Sequence, residues 1–346
     1  MTEARLGFIG CGTHSTNNLY PMLKYARCRL QAVCDLDLAL AERNARIFGA
    51  AGAAYADVRA MLDREPLDGV IVVGPPDMHY AVGKQVLERG IPLMVEKPPA
   101  GSLQDAEELL RIAEAQGTTV MVGFMKRFAL TYGKIHEEIR AGRFVPSCGF
   151  FRYTHWAGMD LTSMLLGMSI HPIDLAISYF GDPVEVTAVP HRASGALSLA
   201  LIITHAGGQW SEFMLGCHGP RIQEHVELSG MIDGKHGYYL VDDIIHLEEH
   251  TAGQGGVDVL APTLPEIAPQ FDLQDIRMWR PDFGIPNMGQ NSPFLTGYAG
   301  EIREFVDAIL DHRQPRTGGE EGLKAMRVID VLLRNPDGGT FGVISK

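Results

Sequence analysis

Leu6-Gly7-Phe8-Ile9-Gly10-Cys11-Gly12-Thr13-His14-Ser15 is a short apolar run that breaks into two glycines one residue apart and then into a small residue. Its reading decides the fold. A buried strand entering a G-x-G-x-x-S loop uses each position differently. Gly10 permits the tight turn, Gly12 lets backbone amides approach a pyrophosphate, and the small Ser15 lets the next helix pack closely, with the helix N-terminus favouring the anion. An ordinary glycine turn has the same letters, so the loop alone is a weak signal. The second strand, however, ends Ala32-Val33-Cys34-Asp35, with Asp35 following Gly10 by about 25 residues, where a carboxylate meets the adenosine ribose hydroxyls of a dinucleotide. Leu36 and Asp37 come next, with no Arg or Lys to receive a 2′-phosphate, so NAD is expected rather than NADP. Gly10, Cys11, Gly12, Thr13, His14, Ser15 and Asp35 are the expected cofactor contacts.

Outward from that loop, short apolar runs alternate with helical periodicity: Leu30–Cys34, Gly69–Val73, Pro92–Val95 and Thr119–Gly123, separated by Leu38–Phe48, Tyr80–Arg89 and Leu103–Ala115. The alternation predicts βαβ units in a doubly wound parallel sheet over residues 1–124. Ser102 with Asp105 marks a helix start. From Gly149 the pattern turns to strands such as Phe150–Tyr153, Val184–Val189, Leu199–Thr204, Gln209–Cys217, Val226–Leu228 and Tyr238–Leu240, interrupted by a helix at Pro172–Phe180. An α+β domain with an open, mostly antiparallel sheet is expected over 125–346. Its terminal helical segment, Tyr298–Leu310 and Gly322–Leu333, is a candidate to pack back on the first domain. Residues 251–293 are rich in Gly, Pro and Gln without periodicity and read as a long excursion. Trp156, Trp279 and Arg280 fall in expected loops, where an aromatic stacks on a sugar face or makes a subunit contact.

A chain of 346 residues with 46% hydrophobic content can fill two cores. The net charge of −12, without a cluster of Lys and Arg, argues against nucleic-acid or acidic-membrane partners. Five cysteines without a C-x-x-C pair suggest neither a zinc site nor a disulfide framework, and no metal is expected. The N-terminus lacks a basic leader, and no apolar run of about 18 residues is evident, so a cytoplasmic location is expected.

Two turns at strand ends carry the remaining chemistry. Gly74-Pro75-Pro76-Asp77-Met78-His79 closes the third unit at the cofactor crevice; His79 is either a cofactor contact or a loop histidine bonded to backbone. Glu96-Lys97-Pro98-Pro99 closes the next. An ammonium there, its pKa lowered by burial, can hold a substrate hydroxyl oxygen and assist its deprotonation. The alternative is a surface lysine opening a loop. Lys97–Pro98 is also a candidate cis peptide bond.

Gly10-x-Gly12 with Ser15, Asp35, Gly74-Pro75-Pro76 with His79, Glu96-Lys97-Pro98 and His171-Pro172-Ile173-Asp174, in this order across nearly the whole chain, resemble the Gfo/Idh/MocA oxidoreductases. The resemblance implies a Rossmann domain, a second domain whose sheet often makes subunit contacts (here a homodimer or homotetramer), and NAD(P)-dependent dehydrogenase chemistry on a CH–OH group of a sugar, inositol or sugar derivative. It further implies that Lys97 acts at the reacting oxygen, that Glu96 borders the cofactor, and that His171 shuttles the proton.

One departure stands out. Many members carry Asp four residues before the histidine, where this chain has Gly167. Tyr153, His155 or Asp160 could supply a replacement, and no spacing selects among them. Pro172 suits a first helical position, which would make His171 cap-like and Asp174 either a substrate contact or a helix-start acid. Arg127 contacts cofactor or substrate, or pairs with a junction carboxylate. Two rival readings follow: a glycosidase that oxidises its sugar transiently on bound NAD, and a non-catalytic sensor of NAD or sugar.

Overall fold

The computed structural model describes residues 3–156, 158–193, 195–252, 274–282 and 292–343. Six strands form the first sheet: β1 (Ala4–Ile9), β2 (Cys28–Cys34), β3 (Ala54–Tyr55), β4 (Gly69–Val72), β5 (Leu93–Glu96) and β6 (Val120–Gly123). Their order is β3-β2-β1-β4-β5-β6 and every pair is parallel. Chain order reverses between β1 and β4, which opens the ligand crevice at the carboxyl ends of those strands. Helices α1 (Leu38–Phe48), α2 (Val58–Arg64), α3 (Pro76–Leu87) and α4 (Leu103–Gln116) connect them. The expected Rossmann domain is thus present, and Ser102 caps α4 through Asp105 N–H.

Alternation along each strand feeds two cores. Val70, Val72, Leu93, Val95, Val120 and Val122 point to one face, and Ile71, Met94 and Met121 to the other. A parallel sheet needs both faces covered. The second face is closed from the far end of the chain, by Ile302, Phe305, Val306 and Ile309 of a helix over Tyr298–Leu310. Those side chains are at most 6% exposed, and at about 2 kcal/mol for each such burial the helix is integral to the parallel sheet.

After α5 (Leu130–Arg140), nine strands form the second sheet: β7 (Phe144–Thr154), β8 (Pro183–Ala193), β9 (Ala196–His205), β10 (Trp210–Gly216), β11 (Gln223–Ile232), β12 (Lys235–Asp242), β13 (His246–Ala252), β14 (Gln274–Trp279) and β15 (Gly339–Gly342). Their order is β14-β13-β12-β11-β7-β10-β9-β8-β15. All neighbours are antiparallel except β7 and β10. Between β7 and β8 lie α6 (Leu161–Met164), a π-helical turn (Leu165–Ser169) and α7 (Ile170–Phe180). The chain closes with α8 (Ser292–Leu295), α9 (Tyr298–Leu310) and α10 (Gly319–Arg334).

Three sequence expectations need correction. Trp279 lies in an edge strand rather than a loop; of the expected excursion, 253–273 and 283–291 fall outside the described residues. Leu161–Phe180 is a continuous helical run of 20 residues whose length and composition would suit a membrane span, although 72% of its most apolar window is buried inside the protein. It is a core helix packed against the second sheet. Finally, Pro172 does not begin that helix, because Asp160 caps it through Ser163 N–H. The π turn contains Met168, whose carbonyl lies four residues before Pro172, where the proline ring and missing N–H disrupt a regular α-helix. His171 and Asp174 therefore belong to a helix interior, not to its first turn.

Candidate active site

The glycine loop joins β1 to the crevice. Gly10 has φ +104°, and a Cβ on it would lie 1.9 Å from the Val73 carbonyl oxygen; no other residue fits. Gly12 differs, since a Cβ there would meet nothing within 4 Å. The open space in front of its backbone is what a pyrophosphate approaching the loop requires. Ser15, 1% exposed, donates to the Gly10 and Gly12 carbonyls at 2.9 and 3.0 Å. Thr13 opens the following helix, which is π over Ser15–Leu19 and 3-10 over Tyr20–Tyr25; Pro21 prevents a regular continuation.

Asp35 ends beside this loop, accepting from Cys11 N–H at 2.7 Å and from Asp37 N–H at 2.9 Å. Its position at the end of β2 suits ribose hydroxyls. Arg43 of α1, missed in the sequence, reaches the Cys11 carbonyl at 3.2 Å, and only the turn of α1 brings it there. The donor set fits a dinucleotide: backbone amides at the loop and a carboxylate at the neighbouring strand end.

Pro75 and Pro76 start α3 at its N-cap and first position, with Gly74 before them. His79, 1% exposed, accepts from Gly74 N–H at 3.0 Å and donates from Nδ1 to the Pro98 carbonyl at 2.7 Å. Both ring nitrogens are thus used to fasten the third strand-end turn to the fourth, and burial pushes the imidazole below its usual pKa. These bonds are those of the backbone-bonded loop histidine, one of the two readings of His79.

Lys97–Pro98 is cis. The Lys97 ammonium donates to the Gly167 carbonyl at 2.7 Å, in the π turn four residues before His171. Burial pushes Lys97 below the usual lysine value, with Glu96 opposing. His171 is 9% exposed and its Nδ1 has no partner. Burial, reinforced by Lys97, Lys126 and His14, pushes it well below the usual histidine value, so the ring stands neutral and able to accept a proton. Lys97 thus bonds to the helical run that carries His171, and its charge acts on the imidazole.

Glu96, 4% exposed, accepts from Lys97 N–H at 3.0 Å, and His14 Nε2 lies 3.5 Å from its other oxygen. Burial works against ionisation of Glu96, but His14, Lys97 and His79 hold it below its usual range. His14 thereby ties the glycine loop to the reacting centre.

Arg127 and Asp174 are given to each other. Arg127 Nε and Nη2 donate to the two Asp174 carboxylate oxygens at 2.9 and 2.6 Å, and Nη1 donates to Glu321 at 3.0 Å. Asp174 is 1% exposed, and burial pushes it up to about 6 against the pull of Arg127. This fork is the pairing with a junction carboxylate that is the alternative reading of Arg127, and it holds Asp174 at the junction as well. Tyr153, 5% exposed, instead carries the Lys126 ammonium over its ring at 4.3 Å. Lys126 also pairs with Glu224, which takes the Tyr132 hydroxyl as well. This second buried lysine was missed because its partner on β11 lies almost a hundred residues downstream. His155, 1% exposed, has Cys217 Sγ 3.8 Å from Nε2 and an unpartnered Nδ1. Asp160 is spent as the cap of α6.

Residues 4–124 match the family designated GFO_IDH_MocA and described as "Oxidoreductase family, NAD-binding Rossmann fold". The putative oxidoreductase YceM of Salmonella typhimurium is 26% identical over 343 residues, covering 97% of this chain and 99% of that protein. A D-apiose dehydrogenase of Paraburkholderia graminis is 26% identical over 345 residues, covering 93% and 84%. A crystal structure of a dehydrogenase from Chromobacterium violaceum superposes with a TM-score of 0.82 at 25% identity, covering 96% of this chain and 95% of that one. With the glycine loop, the Glu-Lys-Pro turn and both sheets in place, residues 4–124 carry the NAD-binding Rossmann fold of the oxidoreductases that this model describes.

Proposed function

We propose that this chain moves a hydride between NAD and a secondary hydroxyl or keto carbon of a sugar, inositol or sugar derivative, with Lys97 and His171 as its catalytic residues. The observation that carries the reading is the bond from the Lys97 ammonium to the Gly167 carbonyl, four residues before His171 in the same helical run. Bound NAD supplies the hydride acceptor or donor. Lys97 exchanges its carbonyl partner for the substrate oxygen and polarises it. A neutral His171, with a free Nδ1, takes the proton in oxidation and returns it in reduction. Tyr153 and His155, at the end of β7, are the proposed substrate contacts. The D-apiose dehydrogenase likeness supports a sugar or polyol as substrate.

The same reading divides the chain into an NAD-binding domain, 1–124, and a substrate and oligomer domain, 125–346, with α9 completing the first. It places the protein in the cytoplasm as a homodimer or homotetramer joined through the second sheet. Lys97→Met is expected to leave NAD affinity nearly unchanged in a fluorescence titration. Its turnover should fall by about 10²–10⁴-fold, the range for losing a positioned proton-transfer group; near-normal turnover removes Lys97 from the mechanism.

A further inference from the structure

Lys97 is a cation without an acid bonded to it. Among the described residues, no carboxylate takes its ammonium, which donates to the Gly167 carbonyl at 2.7 Å. Glu96 precedes it in the chain, but one Glu96 oxygen accepts from the Lys97 backbone N–H at 3.0 Å and the other faces His14 Nε2 at 3.5 Å. Lys126 and Arg127, in the turn after β6, differ: Lys126 pairs with Glu224, and Arg127 with Asp174 and Glu321. Glu301 on α9 is fully buried, and burial, with the Glu96 charge adding, pushes it well above the usual carboxylate range, so it brings no negative charge. Lys97, partly buried at its strand end, stands with a neutral partner where a charged one would be worth more than in water.

The position that receives this bond carries no side chain. Gly167 is partly exposed, and a Cβ on it would meet nothing within 4 Å. Its φ lies outside the left-handed region. Neither backbone nor packing therefore calls for glycine here, although glycine weakens a helix. The Cβ position and the carbonyl oxygen of one residue are close neighbours, so the empty space borders the oxygen that Lys97 holds.

We propose that the substrate is a sugar acid, whose carboxylate enters the space over Gly167 and pairs with the Lys97 ammonium while a nearby hydroxyl is the one oxidised. The inference rests on the hydride-transfer reading and narrows its substrate class. An ammonium has three donors, so Lys97 holds the reacting oxygen with one and a carboxylate oxygen with another. A carboxylate attached to the carbinol carbon, or to the carbon beside it, reaches both. Because Lys126 and Arg127 are already paired, the single remaining cation matches a single negative charge, and a phosphate dianion would be left half neutralised. A neutral sugar offers the ammonium hydroxyl partners only, which bind it less strongly than an ionised acceptor does.

Initial rates of NADH formation by the wild-type protein read the preference, with D-glucuronate set against D-glucose, D-galacturonate against D-galactose, and D-gluconate against sorbitol. The acids are expected to exceed their neutral parents in kcat/KM by about 10- to 100-fold, the worth of one hydrogen bond between charged groups. Gly167→Asp puts a carboxylate into that space and should abolish or invert the preference through like-charge repulsion. Gly167→Asn, of the same size without the charge, should keep the acids ahead. Both substitutions face open space, and thermal melting checks that they fold. Neutral parents turned over as well as the acids overturn the inference, as does a higher kcat/KM on hexose monophosphates or an equal shift of preference in both variants. No NADH from any acid, neutral sugar, polyol or phosphate overturns the hydride-transfer reading, and this inference with it.

Discussion

Gly167 shows how one residue sets the charge state of the centre. A Cβ there would meet nothing within 4 Å, so space for a larger side chain exists, yet the chain gives Lys97 a neutral carbonyl instead of a carboxylate. Gly167→Asp would set a negative charge beside the ammonium and one helical turn from His171. Both groups would hold protons more strongly, because an opposite charge favours the cationic form. Oxidation needs His171 neutral, so the acid limb of its kcat/KM profile is expected to move to higher pH while NADH affinity is unchanged. A profile that stays in place would show that neither group is titrating in that limb.

At the scale of elements, the helical run Leu161–Phe180 connects the two sheets through Asp174. The carboxylate is fixed by Arg127 from the turn after β6, and Arg127 is fixed in addition by Glu321 of α10. Removing one member leaves a buried charge without a partner, which costs about 3–5 kcal/mol. Arg127→Ala is therefore expected to lower the urea midpoint by that equivalent. Arg127→Lys should recover only part of it, since an ammonium cannot reproduce the two parallel bonds of the guanidinium fork. If both variants unfold as the wild type does, the pair is not a fastening of the junction.

At the scale of the molecule, the second sheet is unequal on its two faces. Leu199, Leu201 and Ile203 of β9 are buried, while Ile202 is 42% exposed between them. Across the open face, Val189 registers with Ala200, and Ala200 with Met214; Val189 and Met214 are 60% and 42% exposed. An apolar row across three paired strands is the kind of surface a second copy covers. Ile202→Glu is expected to convert an oligomer into a monomer in sedimentation velocity without altering its helix content by circular dichroism. An unchanged sedimentation coefficient would move the contact elsewhere.

What the sequence determined by itself was local. Gly10, Gly12 and Ser15 after an apolar run, Asp35 at the next strand end and Glu96-Lys97-Pro98 at a later one are read from neighbours in the chain, since a strand and its following turn obey short-range backbone rules. The alternating βαβ pattern determined the parallel sheet for the same reason. Tertiary structure decided what depends on distant partners. His79 turned to two backbone groups, Arg127 to Asp174 and Glu321, and Lys126 to Glu224; Glu301 met a burial that α9 reaches only by closing the first sheet's second face. A side chain's charge and duty are set by the dielectric and the partners around it, and folding brings those partners from remote parts of the chain.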